Sequence, residues 1–325
     1  MTRLRVGLLG CGGIAARHAG AVAALGERME LAGCCGRDLD RTRAFAGQHG
    51  AIAYVDLDTM IDDGIDLMIA TLPPYNRHGE IEHAAQRGVH LLVEKPIALD
   101  MDAATRMVDA VEASGVVAAI GFMYRFGDAV RRWRSLDTGP VGLYVGGYYC
   151  NALHAHWWRK RALSGGQILE QAIHQVDLIR HLVGEPDSVY ARYANLFHRD
   201  VPDYDVEDVS AMIFGWDDGR LATLSASNIA IPDVWHKEWA VMAERMTGRF
   251  TSWNEAVLTQ TASEVTSETI AGDTDPFVAQ LTDVADAIAE KREPYIPLRE
   301  GARTLRLALA AVQSAKEGRE LRLAD

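Results

Sequence analysis

Along roughly the first third of the chain, short apolar runs alternate with stretches of helical period. Val6–Gly10 reads as a buried strand that ends in Gly10-Cys11-Gly12-Gly13-Ile14-Ala15, ahead of a helical pattern over Ala16–Leu25. The alternation continues with strands at Met29–Cys35 and near Ala51–Tyr54, a helix over Asp58–Asp63, and an apolar strand over Asp66–Thr71. A helix over His78–Gly88, a strand over Val89–Val93, a helix over Ala103–Ser114 and a strand over Val116–Ile120 complete it. Such repetition predicts a doubly wound parallel sheet, with ligands beyond the carboxyl ends of its strands.

The pattern then changes. Val141–Asn151, Ser188–Asn195, Ser210–Trp216, Leu221–Ile229 and Trp239–Met242 are β-rich runs joined by turns such as Asp217-Asp218-Gly219, which suits one antiparallel sheet. One long helix lies among them, opening after Ser164-Gly165-Gly166 and closing at Gly184-Glu185-Pro186. Asp275–Glu290 and Gly301–Lys316 read as closing amphipathic helices. The end of the alternating pattern sets the expected division at residues 1–121 and 122–325.

A chain of 325 residues supports two cores of ordinary size. Its formal net charge of −12 argues against nucleic acid or an anionic membrane as partner, since both demand a clustered basic surface. Cys11, Cys34, Cys35 and Cys150 have neither disulfide-framework nor zinc-site spacing, and they fit reduced cytoplasmic thiols. No signal region opens the sequence and no apolar stretch approaches membrane-spanning length, so the expected location is cytoplasmic.

In the opening turn, Gly10 permits the tight bend and Gly12 lets the backbone approach a pyrophosphate, with Gly13 and Ile14 opening the helix. Ala15 permits close packing of helix on strand. After the second strand, where an acidic residue would bind the ribose 2′-hydroxyl, the sequence has Gly36 and Arg37. A guanidinium there pairs with a 2′-phosphate, which favours NADP over NAD; otherwise Arg37 stacks on adenine or Asp38 takes the ribose. Further along come Thr71-Leu72-Pro73-Pro74, His78 and Glu94-Lys95-Pro96, the lysine standing at a strand's carboxyl end with its direction restricted by the proline. On the long helix, Leu169, Ile173, Val176 and Val183 form a packed stripe. Glu170, His174, Asp177 and His181 align beside it; the alternative is an ordinary solvated face with incidental histidines, the reading favoured for His181.

These motifs, in this order and with a tail ending Ser314-Ala315-Lys316-Glu317-Gly318, resemble the Gfo/Idh/MocA family of glucose-fructose oxidoreductases and inositol dehydrogenases over nearly the whole chain. The resemblance implies a Rossmann domain followed by an α/β domain built on a large, open, mainly antiparallel sheet. Family members often dimerise through that sheet, so a homodimer or homotetramer is expected. It also implies an NAD(P)-dependent sugar or polyol dehydrogenase, with Lys95 or His174 shuttling the hydroxyl proton where the two meet beside the nicotinamide. The family has Asp where Glu170 stands, and the extra methylene displaces the carboxylate, so its role does not transfer directly. Thr71, Leu72, Pro73, His78 and Glu94 are expected along the cofactor, Glu94 on its ribose. Tyr124 and Arg125 fall where the family places cleft residues, although a domain-interface role is equally open. Trp157 and Trp158 either stack on a sugar or plug a sheet edge, and Arg159 is a candidate contact for substrate or phosphate. His154 and His156 lack acidic or Cys companions, so no metal site is expected. Two other activities share this fold: a nucleotide-dependent ligand sensor, and glycoside hydrolysis by transient oxidation.

Overall fold

The computed structural model describes residues 3–151, 155–261 and 264–323. They form two compact units: the chain up to Met123 with Asp275–Ala302, and Tyr124–Thr274 with the chain from Arg303 onward.

In the first unit the chain runs β1 (Leu4–Leu9), α1 (Gly13–Ala24), β2 (Met29–Cys35), α2 (Leu39–His49), β3 (Ile52–Tyr54) and α3 (Leu57–Asp62). It continues β4 (Leu67–Ala70), α4 (Glu80–Gln86), β5 (His90–Val93), α5 (Met101–Ser114) and β6 (Ala118–Ile120). All six strands are parallel, in the order β3-β2-β1-β4-β5-β6. The order reverses beside β1, so the crevice expected to receive a ligand opens at the loops after β1 and β4. Val6, Leu8, Leu67, Ile69 and Leu92 are fully buried, as strands covered on both faces require. Helix α2, which the apolar pattern did not reveal, is fixed by its cap: Asp38 accepts from the N–H groups of Asp40 and Arg41.

The second unit carries α6 (Asp128–Arg134), β7 (Val141–Asn151), α7 (Arg161–Ser164) and α8 (Ile173–Val183). Strands β8 (Ser188–Ala194), β9 (Val209–Gly215), β10 (Leu221–Pro232), β11 (His236–Ala243), β12 (Met246–Phe250), β13 (Glu255–Gln260) and β14 (Thr266–Ala271) follow. With β15 (Leu321–Arg322) they make a nine-stranded sheet ordered β14-β13-β12-β11-β7-β10-β9-β8-β15. Only the pairing of β7 with β10 is parallel. Register places Leu143, Val145, Leu221, Ile213 and Val257 on one face, and Tyr144, Tyr148, Leu224, Phe214 and Trp239 on the other. The second set is buried, and α8 lies over it, with Gln175 bonded to the Tyr144 hydroxyl.

Two expectations need correction. Residues 275–302 do not belong with the second domain: α9 (Pro276–Glu290) inserts Phe277, Leu281, Val284 and Ala285 into the core built around β1, and the first turn of α10 (Leu298–Glu317) joins the same unit. The long helix is also not regular from its start, because Ile168–Ala172 is a π turn that leads into α8. Nor does it present a solvated stripe. His174 and Asp177 are buried, as are Ile173 and Val176, whereas Glu170 and His181 are partly buried.

Candidate functional site

In the first unit, β1 delivers the chain into Gly10, whose φ of 100° suits only glycine. Thr71, expected at the cofactor, is buried beneath this turn and donates its hydroxyl to the carbonyls of Leu9 and Gly10 at 3.1 and 2.9 Å. A Cβ at Gly12 or Gly13 would meet nothing within 4 Å, and α1 begins without a capping side chain or an acid in its first turn. No side chain therefore occupies this end of α1, an arrangement suited to a pyrophosphate. Ile14 is partly exposed beside them, while Ala15 is fully buried against the sheet. Cys11 turns instead onto the core that holds Cys34, and the hydrogen bond between the two thiols lowers its pKa to about 7.

At the end of β2 a Cβ on Gly36 would sit 2.8 Å from the Thr42 hydroxyl, so the edge stays bare. Arg37 is exposed, its guanidinium 3.5 Å from the Tyr75 hydroxyl. Asp38, the alternative ribose ligand, is committed to capping α2 at 3.1 Å from two N–H groups.

Lys95 stands half-buried at the carboxyl end of β5, on a cis peptide to Pro96. The expectation that Glu94 reaches the ribose is corrected. Its Oε1 lies 2.8 Å from His18 Nε2, and its Oε2 accepts from the Lys95 N–H at 3.1 Å. Burial pushes this carboxyl up, but the His18 hydrogen bond and the charges of His18 and Lys95 overcome that and hold it below the usual range. Gly121 makes the room, since a Cβ there would lie 3.0 Å from Glu94 Oε2. A second anchor is the buried Arg77, which donates at 2.8 Å to the carbonyls of Leu72 and Ile97 and also to that of Pro96. Pro73 lies between Leu72 and the short turn Pro74–Asn76. Sequence reasoning missed both His18 and Arg77; the one available signal was the placement of Arg77 beside the proline pair. His78 is exposed, and its N–H donates to Glu80 at 2.6 Å.

In the second unit, two of the expected residues meet. The His174 ring stacks on Tyr124 with centroids 4.5 Å apart and planes inclined 16°. Tyr124 also stacks on Trp253, at 4.8 Å and 25°. The Tyr124 and Tyr148 hydroxyls share a hydrogen bond, burial raises both phenols, and the Glu170 carboxylate acts on Tyr148 as well. Lys237 holds its ammonium 5.1 Å from the Tyr148 ring centre and 5.3 Å from that of Trp253. Tyr148, Lys237 and Trp253 were not anticipated.

Other candidates lie elsewhere in this unit. Arg125 is bound in a buried pair, its Nε and Nη2 donating to Asp177 at 2.8 and 2.6 Å. Trp158 plugs a cluster with Tyr204 and Val206, with Trp157 packed against it, so a sugar-stacking role for Trp158 is corrected. The Arg159 carbonyl accepts from the Asp205 N–H at 3.0 Å. His156 pairs with Asp203 at 3.0 Å, and His154 lies outside the described residues. Among the described residues no group of three or more His, Cys, Asp or Glu could hold a metal.

Two family descriptions match the sequence: an oxidoreductase family with an NAD-binding Rossmann fold over residues 4–122, and the GFO/IDH/MocA C-terminal domain over residues 134–247. The 2,7-anhydro-N-acetylneuraminate hydratase of Escherichia coli is 28% identical over 58% of this chain, a match that spans only 53% of that relative. UDP-N-acetylglucosamine 3-dehydrogenase of Acidithiobacillus ferrooxidans is 28% identical over 70% of this chain and 68% of its own length. D-xylose 1-dehydrogenase (NADP(+)) 2 of Haloferax volcanii is 28% identical over 68% of each. Among solved structures, levoglucosan dehydrogenase in complex with NADH and L-sorbose is similar over the whole of both chains, with a TM-score of 0.91 at 20% identity. The WlbA dehydrogenase from Bordetella pertussis in complex with NADH and UDP-GlcNAcA gives 0.84 at 25%.

Proposed function

The chain belongs to the Gfo/Idh/MocA family of oxidoreductases, and from that premise we propose that it is a nicotinamide-dependent dehydrogenase or reductase acting on a carbinol or carbonyl of a sugar or polyol. The observation that carries the reading is the pairing, in one parallel sheet, of an open uncapped glycine turn after β1 with an anchored lysine after β5. The nucleotide, when bound, supplies hydride exchange. The chain's own residues do the rest. The first N–H groups of α1 hold the pyrophosphate, and Gly12 and Gly13 keep its cradle open.

Lys95 holds or returns the carbinol proton at its Nζ. Glu94, His18 and Arg77 fix the loop that presents it. His174, its ring laid on Tyr124, is the second proton-handling group, and the Glu170 carboxylate acts on Tyr148, the hydrogen-bond partner of that tyrosine. Arg37 at a bare strand edge supports NADP as the preferred nucleotide, because Asp38 is engaged elsewhere.

Near-ultraviolet absorbance with NADP or NAD and a panel of sugars tests the activity. Growth of the reduced-nucleotide band supports net oxidation. A protein that binds nucleotide and turns over no sugar refutes it, and release of an aglycone without band growth assigns the hydrolytic relative's chemistry. The exposed apolar face carrying Val145, Ile213, Leu221 and Val257 suits a homo-oligomer, which light scattering reads directly. Cys11, Cys34, Cys35 and Cys150 are all free thiols, in keeping with a cytoplasmic location.

A further inference from the structure

Lys237 occupies a position that a neutral sugar does not explain. Along β11 the side chains alternate, and Lys237 shares the helix-covered face with Trp239 and Val241, opposite Tyr148 on β7. A lysine there gives up part of its hydration, and burial lowers its pKa. Among the described residues it makes no ion pair. Its one hydrogen bond, to the Trp235 carbonyl, is long at 3.4 Å. The aromatic faces of Tyr148 and Trp253 hold the ammonium in place but leave its net charge uncompensated.

Cys150, on the same face of β7, has its thiol pushed up to about 11 by burial and supplies no anion. The Trp253 ring beside the ammonium also stacks on Tyr124, which carries His174 on its own face. An anion bound at Lys237 therefore lies in the same side-chain cluster as the proton-handling imidazole.

We propose that Lys237 is a specificity residue that pairs with a carboxylate of the substrate, so that the natural substrate is a sugar acid rather than a neutral sugar. This rests on the sugar-oxidoreductase reading and narrows it. A single ammonium balances the charge of a monoanionic carboxylate but only part of the roughly −1.5 to −2 on a phosphate. Aromatic faces flank the cation, Trp235 being largely exposed and packed edge-on to Tyr148 at 6.3 Å, and they suit the apolar face of a pyranose.

The test is equilibrium binding of matched pairs, D-glucuronate against D-glucose and D-galacturonate against D-galactose, to the full chain saturated with reduced nucleotide. All seven tryptophans lie between positions 133 and 253, so intrinsic fluorescence reads the site. We expect at least one uronate to bind roughly 10- to 100-fold more tightly than its neutral partner, the scale of a charge-assisted hydrogen bond. Lys237→Met should abolish that preference, lowering uronate affinity to that of the neutral partner, and Lys237→Arg should restore part of it. A uronate preference that survives in Lys237→Met, equal affinity for both members of each pair, or no uronate binding by the folded protein overturns the proposal. Lys237-dependent uronate binding by a protein that, supplied separately with oxidised NADP or NAD, reduces neither with any sugar or uronate would sustain the subsite while removing the hydride-transfer reading.

Discussion

Replacing Asp177 by Asn removes the one carboxylate that the buried Arg125 guanidinium grips with two donors, at 2.8 and 2.6 Å. Thr304 donates a third hydrogen bond to the same carboxylate at 3.2 Å while accepting one from the buried Arg180 at 2.7 Å. Without Asp177 the buried Arg125 guanidinium loses that charge in a low-dielectric cluster, while Arg180 keeps its pair with Glu185. Breaking a buried pair from one side costs about 3–5 kcal/mol. At a urea slope of roughly 3 kcal/mol per molar, the unfolding midpoint falls by about 1 M or more. Tryptophan fluorescence is the assay, because all seven tryptophans belong to the second unit. Arg125→Met with Asp177→Leu removes both charges and should recover most of the loss, leaving a coupling of about 2 kcal/mol or more. Additive single effects, or an Asp177→Asn protein within about 0.5 kcal/mol of wild type, would refute the ion-pair assignment.

Two further outcomes are expected. Arg37→Ala should weaken NADP by roughly tenfold or more and leave NAD nearly unchanged, as nucleotide titration would show; equal weakening withdraws the 2′-phosphate contact. His181 is held neutral in the fold, its pKa lowered well below the ordinary 6.5 by burial and by the charges of Arg125, Arg134 and Arg180. The unfolded chain therefore takes up the proton first on acidification. Stability present above about pH 6.5 is lost as the pH falls, by up to about 1.4 kcal/mol per pH unit from this group. His181→Gln should flatten that slope in urea unfolding between neutral and mildly acidic pH, and an unchanged slope would clear His181 of the effect.

Local chemistry made the first unit readable. The glycine turn, Arg37 after a bare strand end and Lys95 before a proline are each marked by neighbours in sequence, and the structure keeps them at strand ends. Long-range partners carried no such mark. His18 meets Glu94 across 76 positions, and Arg125 meets Asp177 across 52. A 3.6-residue period alone left the stripe open to a solvated reading, favoured for His181, because it registers neither the π turn at Ile168–Ala172 nor the burial of the helix. Strands β12, β13 and β14 were too polar to stand out, β14 being exposed at all but one of its residues. Lys237 escaped notice because β11 was read only from Trp239 onward. With the strand extended to His236, the period-2 alternation puts that lysine on the inner face.

Direct hydride exchange with Lys95 handling the proton is the step on which the proposed activity turns. It is tested by following deuterium from the carbinol carbon of the best-used sugar into the recovered reduced nucleotide, by mass spectrometry, in wild type and Lys95→Met. We expect full transfer in the wild type and a rate lower by roughly 100-fold or more in the variant, with nucleotide affinity retained. Deuterium lost to water, or an undiminished rate in Lys95→Met, would contradict it.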